Sequence, residues 1–164
     1  MRIKMTTSTL VFLLLRVAHV LLAAVWIGMT AFTTLLLMPT IKESGVGGAP
    51  LAQAMMRRGL HIYMASLGGT VVLTGFYLYW RFTGGFDPAL SATRGAMIFG
   101  TGGIAGTLAL ILGGAVVGRN AKKMASASSP AEFAAARDKS ATFGVVVLVL
   151  QLIAIAAMAL GHYV

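Results

Sequence analysis

The chain has no cysteine among its 164 residues. That absence removes disulfides, iron–sulfur clusters, thiolate zinc sites and the covalent attachment of c-type haem, each of which needs sulfur. Any metal must then be held by imidazole, thioether or oxygen. Acidic residues are nearly as scarce, four against thirteen Lys and Arg. All four, Glu43, Asp87, Glu132 and Asp138, fall between the apolar runs. No carboxylate pair is therefore placed for general acid–base work, and no catalytic constellation is visible. Whether the chain is an enzyme stays open at this level; a redox role needs no such constellation. Charge of either sign is sparse, 10% of residues against 58% hydrophobic, where soluble domains carry about 25% charged residues. Mean hydropathy is +0.88. Such a chain cannot cover its own surface for water, and the expected fold class is all-α, an integral membrane four-helix bundle.

What is present supports that class. Roughly 20 apolar residues span the hydrocarbon core as a helix, and four runs qualify, in a single transmembrane domain. The expected helices cover about 10–38, 50–82, 95–117 and 130–163. The first run continues to Met38 and stops at Pro39. It is too long for a signal-peptide core, so the opening MRIKMTTSTLVFLLL reads as the start of a retained helix. KESGVGGAP (42–50) is a flexible turn, with Pro50 suited to the first turn of a helix. FTGGFDPALS (82–91) is a short polar link. SSPAE (128–132) reads as a helix start, with Ser129 as N-cap, Pro130 at the first position and Glu132 closing a capping box.

The formal net charge of +9 would suggest a nucleic-acid partner in a soluble chain. Here the cations flank apolar runs, where they anchor and orient a membrane protein, so the expected partner is the lipid bilayer and no nucleic acid. Lys42, Arg57, Arg58, Arg119, Lys122, Lys123, Arg137 and Lys139 share one side. Arg2, Lys4, Arg81 and Arg94 share the other, and Arg16 is left inside the first run. The positive-inside rule then places both termini on the outer, periplasmic side of a bacterial inner membrane. Phe76, Tyr77, Tyr79, Trp80 and Phe82 gather at the outer end of the second helix, as an interfacial aromatic belt does.

The third run, GAMIFGTGGIAGTLALILGG (95–114), is rich in glycine. Gly102 and Gly106 are four apart, as are Gly114 and Gly118, a spacing that lets helix backbones approach closely in lipid. GTGGIA (100–105) fits a nucleotide fingerprint, but that pattern needs a strand before it and a βαβ unit around it. The stripe therefore reads as packing, within the bundle, in a homo-oligomer or against a larger membrane complex.

Ionisable residues inside a span are costly and face a bundle interior or an interface. Arg16, His19, Trp26, Thr30 and Thr33 fall roughly on one stripe of the first helix. Gln151, Ile155, Met158 and His162 do so on the fourth. Gln151 reads as an interhelical hydrogen-bonding group, and His61 lies at the opposite membrane side. Four spans bring the start of the first helix and the end of the fourth together. His19 and His162 are then candidate axial ligands of a b-type haem. Arg16 would pair a propionate, and Trp26 would line the ring edge. Copper held by His19, His162 and Met158 is the alternative metal reading.

HVLLAAVWIGMTAF (19–32) resembles the first helix of a group of small bacterial membrane proteins. The group includes the copper-resistance protein D family, its four-helix relatives and the HemJ-type haem-binding proteins. The shared feature is a first-helix histidine followed by Trp-x-Gly, here His19, Trp26 and Gly28. A second, weaker match is the basic start of the second helix with a later Thr-Gly, here Arg57, Arg58 and Thr74-Gly75. The resemblance implies a four-helix bundle with haem at His19 and carries over no enzyme activity. The expected function is a membrane haem b protein that exchanges electrons with a quinone or a protein partner. The alternatives are a cofactor-free accessory subunit of a larger membrane complex and a copper-handling protein.

Overall fold

The computed structural model describes residues 7–163. Arg2 and Lys4 of the charge count lie outside them. Four helices are long and apolar enough to cross a membrane: α1 (Thr7–Glu43), α3 (Leu60–Phe82), α5 (Arg94–Ser126) and α6 (Pro130–Leu160). Two shorter helices, α2 (Gly48–Arg57) and α4 (Pro88–Ser91), sit in the connections. No strand occurs among the described residues. The chain is an all-α membrane bundle of up-and-down topology. α1 packs on α3 and α6, and α5 packs on the same two helices. One end of the bundle holds the start of α1, the α3–α5 link and the finish of α6; we call it the terminal end. The other, the loop end, holds the α1–α3 and α5–α6 connections.

Each helix departs from its expected boundary for a local reason. α1 does not stop at Pro39. Residues Thr33–Leu37 form a wider π-helical turn, in which the Met38 N–H reaches back to the Thr33 carbonyl. Proline lacks an N–H and clashes with the carbonyl four residues back. A π turn shifts the ladder by one residue, and the helix continues past Pro39 to Glu43. The second expected helix is two helices, because the chain turns at Gly59 with φ +75°, a left-handed conformation that glycine adopts without a Cβ penalty. α5 runs past Val117 through a second π turn, Gly113–Gly118, to Ser126. α6 starts as expected: the Ser129 hydroxyl accepts from the Glu132 N–H at 3.2 Å. The Glu132 carboxylate reaches one residue further back than a capping box requires, accepting from the Ser128 N–H and hydroxyl, both at 3.0 Å. α6 ends at Leu160, so His162 lies just beyond the helix.

The helices outreach the ~30 Å hydrocarbon layer, since α1, with 37 residues, extends about 55 Å at ~1.5 Å per residue. Two cores result. Trp26, Leu67, Val71, Ala109 and Val147 fill the middle of the bundle. Leu37, Ile41, Ala52, Met124, Phe133 and Ala136 fill a second core at the loop end, under α2. Leu14, Leu21, Leu73, Ile104 and Ile111 point outward and are more than half exposed, as side chains facing lipid are. The terminal end carries the aromatic belt, where Phe76 and Phe86 lie 5.6 Å apart and Tyr77 and Trp80 5.9 Å apart.

Candidate functional site

His19 lies one turn into α1 from Arg16, on the side of the helix that faces α3. Its Nδ1 is 3.0 Å from the Thr74 hydroxyl. That hydroxyl has one proton, and it donates it to backbone carbonyls of its own helix, at 2.7 Å to Thr70 and 3.0 Å to Val71. The Thr74 oxygen is left to accept, so the hydrogen on His19 belongs on Nδ1. Nε2 then carries the lone pair of the ring. A Cβ on Gly75 would stand 2.9 Å from His19 Cε1, so the ring occupies the space a larger residue would take. An imidazole held through Nδ1 by a second side chain has an arrangement found in metal-ligating histidines.

His162 has other neighbours. Arg16 Nη2 donates to His162 Nε2 at 2.5 Å. A guanidinium has donors only, so the proton of His162 is on Nδ1 and its Nε2 lone pair is engaged. The Phe99 ring stands edge-on to the imidazole at 5.2 Å, and Phe82 stands edge-on to Phe99 at 5.1 Å. Gly161 makes this approach fit, because a Cβ there would lie 2.6 Å from Phe99. Arg16 and His162 are both exposed at the rim of the terminal end.

The remaining candidates are elsewhere. Trp26 is 5% exposed and packs in the central core, its ring against the bare backbone of Gly68. Met158 is half-buried in the α5–α6 seam, with its terminal methyl close to Gly102. The structure therefore joins Arg16 to His162 and sets His19 about one turn deeper against another helix. Met158 and Trp26 each have separate surroundings. Among the described residues no group of three His, Asp or Glu side chains is placed to hold a metal ion. A cavity of about 340 Å³, lined by Ala49, Gln53, Met124, Phe133 and Arg137 among others, opens at the loop end, away from all three candidate ligands.

Two features lay beyond sequence reasoning. Phe99 meets His162 through the fold, and no spacing announces it. Gln151 is 1% exposed, and neither atom of its carboxamide has a hydrogen-bond partner among the described residues. The expected interhelical bond is not made among the described residues. Compared with known protein families, with characterised proteins and with solved structures, the chain matches none.

Proposed function

We propose that this protein is a haem b protein of the bacterial inner membrane, exchanging single electrons with a quinone or a partner protein at the end of the bundle that carries both termini. The observation that supports it is the setting of His19: Nδ1 held by Thr74 and the ring seated against Gly75. Haem iron would supply the one-electron chemistry when bound. His19 is the residue that would hold the iron. His162 would be the second ligand once its Nε2 is released by Arg16, whose guanidinium suits a propionate carboxylate. The excess of Lys and Arg at the loop end supports a cytoplasmic loop end and an outer terminal end.

The test is a reduced-minus-oxidised spectrum of the detergent-purified protein with metal analysis beside it. A Soret band that disappears in His19→Ala supports the reading. Bound copper without a Soret band, or a colourless metal-free protein, overturns it.

One observation favours a second reading, an accessory subunit of a larger membrane complex. Gly103, Gly106 and Gly114 of α5 have open space where a Cβ would be, beside Ile104, which is 66% exposed. Small residues open to lipid suit close approach of another helix. Co-purification of the colourless protein with larger membrane subunits supports this reading.

A further inference from the structure

α3 is the shortest of the four spanning helices, with 23 residues, Leu60–Phe82. It rises about 34 Å, little more than the ~30 Å hydrocarbon layer. Its finish carries the aromatic belt, with Tyr77 and Trp80 5.9 Å apart, so its start stands at the opposite membrane surface. Tyr63 is about 26 Å from Trp80 along the helix axis. That sets Tyr63 at the loop-end boundary of the hydrocarbon, a level at which tyrosine gathers. Arg58 lies beyond it, at the level of the lipid headgroups.

The chain bends between these two residues. Gly59 has φ +75°, and α2 ends there as α3 begins. The Gly59 N–H donates to the Met56 carbonyl at 3.0 Å, and the Tyr63 N–H donates to the Gly59 carbonyl at 2.9 Å. Backbone hydrogen bonds therefore fix the corner. An open notch of about 360 Å³ is lined by Met55 and Arg58 on one side of the bend and by Leu60 and Tyr63 on the other. Met55 also packs against the loop-end core, which holds that wall in place. Tyr63 is 54% exposed and its neighbour Ile62 61%, so the notch adjoins the lipid-facing surface.

The chemistry of the notch is two-sided. Three of its side chains are apolar or aromatic, and the fourth is a guanidinium. Arg57 and Arg58 are both exposed, and neither is in an ion pair. Among the described residues the one such pair is Arg137 with Asp138, at 2.8 Å. Arg137 lines the other loop-end cavity, and its charge is already met; that of Arg58 is not. A planar guanidinium suits phosphate oxygens. Apolar walls at the hydrocarbon boundary suit the first methylenes of an acyl chain.

We propose that this notch binds an anionic phospholipid of the leaflet at the loop end, with the phosphate on Arg58 and the start of an acyl chain against Met55, Leu60 and Tyr63. General attraction between loop-end cations and an anionic surface needs no notch, whereas a seated lipid does. The inference does not rest on the haem reading.

The full chain, purified in detergent, is titrated with phosphatidylglycerol or with phosphatidylcholine of the same acyl chains. Native mass spectrometry counts the lipid retained. Phosphatidylglycerol is expected to be held at least about fivefold more tightly, the worth of one basic residue at an anionic surface. Arg58→Gln is expected to erase that preference. Arg94→Gln, at an exposed arginine of the terminal end, is expected to keep it. Tyr63→Ala removes a wall and no charge, and is expected to weaken retention of phosphatidylglycerol. Arg58 and Tyr63 are both exposed, so these variants keep the fold, and the comparison of the two lipids needs no variant. Equal retention of both lipids by the unsubstituted protein overturns the proposal. So does a preference that survives Arg58→Gln or that Arg94→Gln lowers as much. Retention untouched by Tyr63→Ala would show charge attraction alone and would also overturn it. Inorganic phosphate at the lipid's concentration is not expected to displace the lipid, since it makes no apolar contact. Displacement would assign the notch to free phosphate and end the lipid assignment.

Discussion

Arg16 and His162 are 146 positions apart in the chain and share one hydrogen bond, guanidinium to imidazole Nε2. The bond ties the first turns of α1 to the end of α6 and closes the bundle at its terminal end. Both side chains are exposed, so its loss should be modest. Arg16→Gln and His162→Ala are each expected to cost about 1 kcal/mol of stability, read as a lowered unfolding midpoint in detergent. The double variant should be little worse than either single one, because both remove the same contact. Fully additive losses would show that the two residues act separately.

Thr74 positions His19. Thr74→Val keeps the shape of the side chain and removes the oxygen that accepts from Nδ1. If His19 ligates haem, this variant is expected to bind it about 10–100-fold more weakly, with the Soret band shifted, whereas His19→Ala loses the band. Unchanged haem affinity in Thr74→Val would show that the hydrogen bond does not orient the ligand. Thr74→Ser, which retains a hydroxyl, should restore most of the affinity.

Glycines four apart on α5 have opposite roles. A Cβ on Gly102 would meet the Ala157 Cβ at 3.0 Å and the Ala154 carbonyl oxygen at 3.2 Å, and backbone cannot swing away. Gly106 has nothing within 4 Å. Gly102→Val is therefore expected to destabilise by about 1–3 kcal/mol through overpacking. Gly106→Ala should be neutral or gain up to about 1 kcal/mol of helix propensity. Thermal unfolding of the two variants side by side decides this. A large loss in Gly106→Ala, with a loss of oligomer on sizing, would show instead that the outward face is an interface.

The start of α6 rests on Ser129, whose hydroxyl accepts the Glu132 N–H. Ser129→Ala is expected to cost about 1 kcal/mol, and exchange of the first-turn amides should quicken before that of residues beyond Ser140. Uniform protection across α6 would show that packing of Phe133 and Ala136 alone holds the helix start.

The site was legible in outline and illegible in detail. Four spans require the two chain ends to meet, and Arg16 does meet His162. The same reasoning put His19 on that shared face, yet it turns toward α3. Residues three apart on a helix point about 60° apart. In a four-helix bundle that angle is enough to send Arg16 to α6 and His19 to Thr74. The fourth-helix stripe divides in the same way, with Gln151 buried and Ile155 47% exposed to the outside. Pro39 failed as a stop because a π turn upstream absorbs it, a change of hydrogen-bond register that composition does not announce.

Transfer of apolar side chains into lipid is a local quantity, additive along a run, so the residues alone determined an all-helical membrane chain, the number of its spans and the meeting of its two ends. The rotation of each helix about its axis is not local. It follows from packing against two neighbours at once, where one missing Cβ at Gly75, Gly102 or Gly144 decides which faces touch. Only the tertiary structure could decide that His19 leans on Thr74, that Trp26 is core, and that Gln151 is buried with no partner among the described residues.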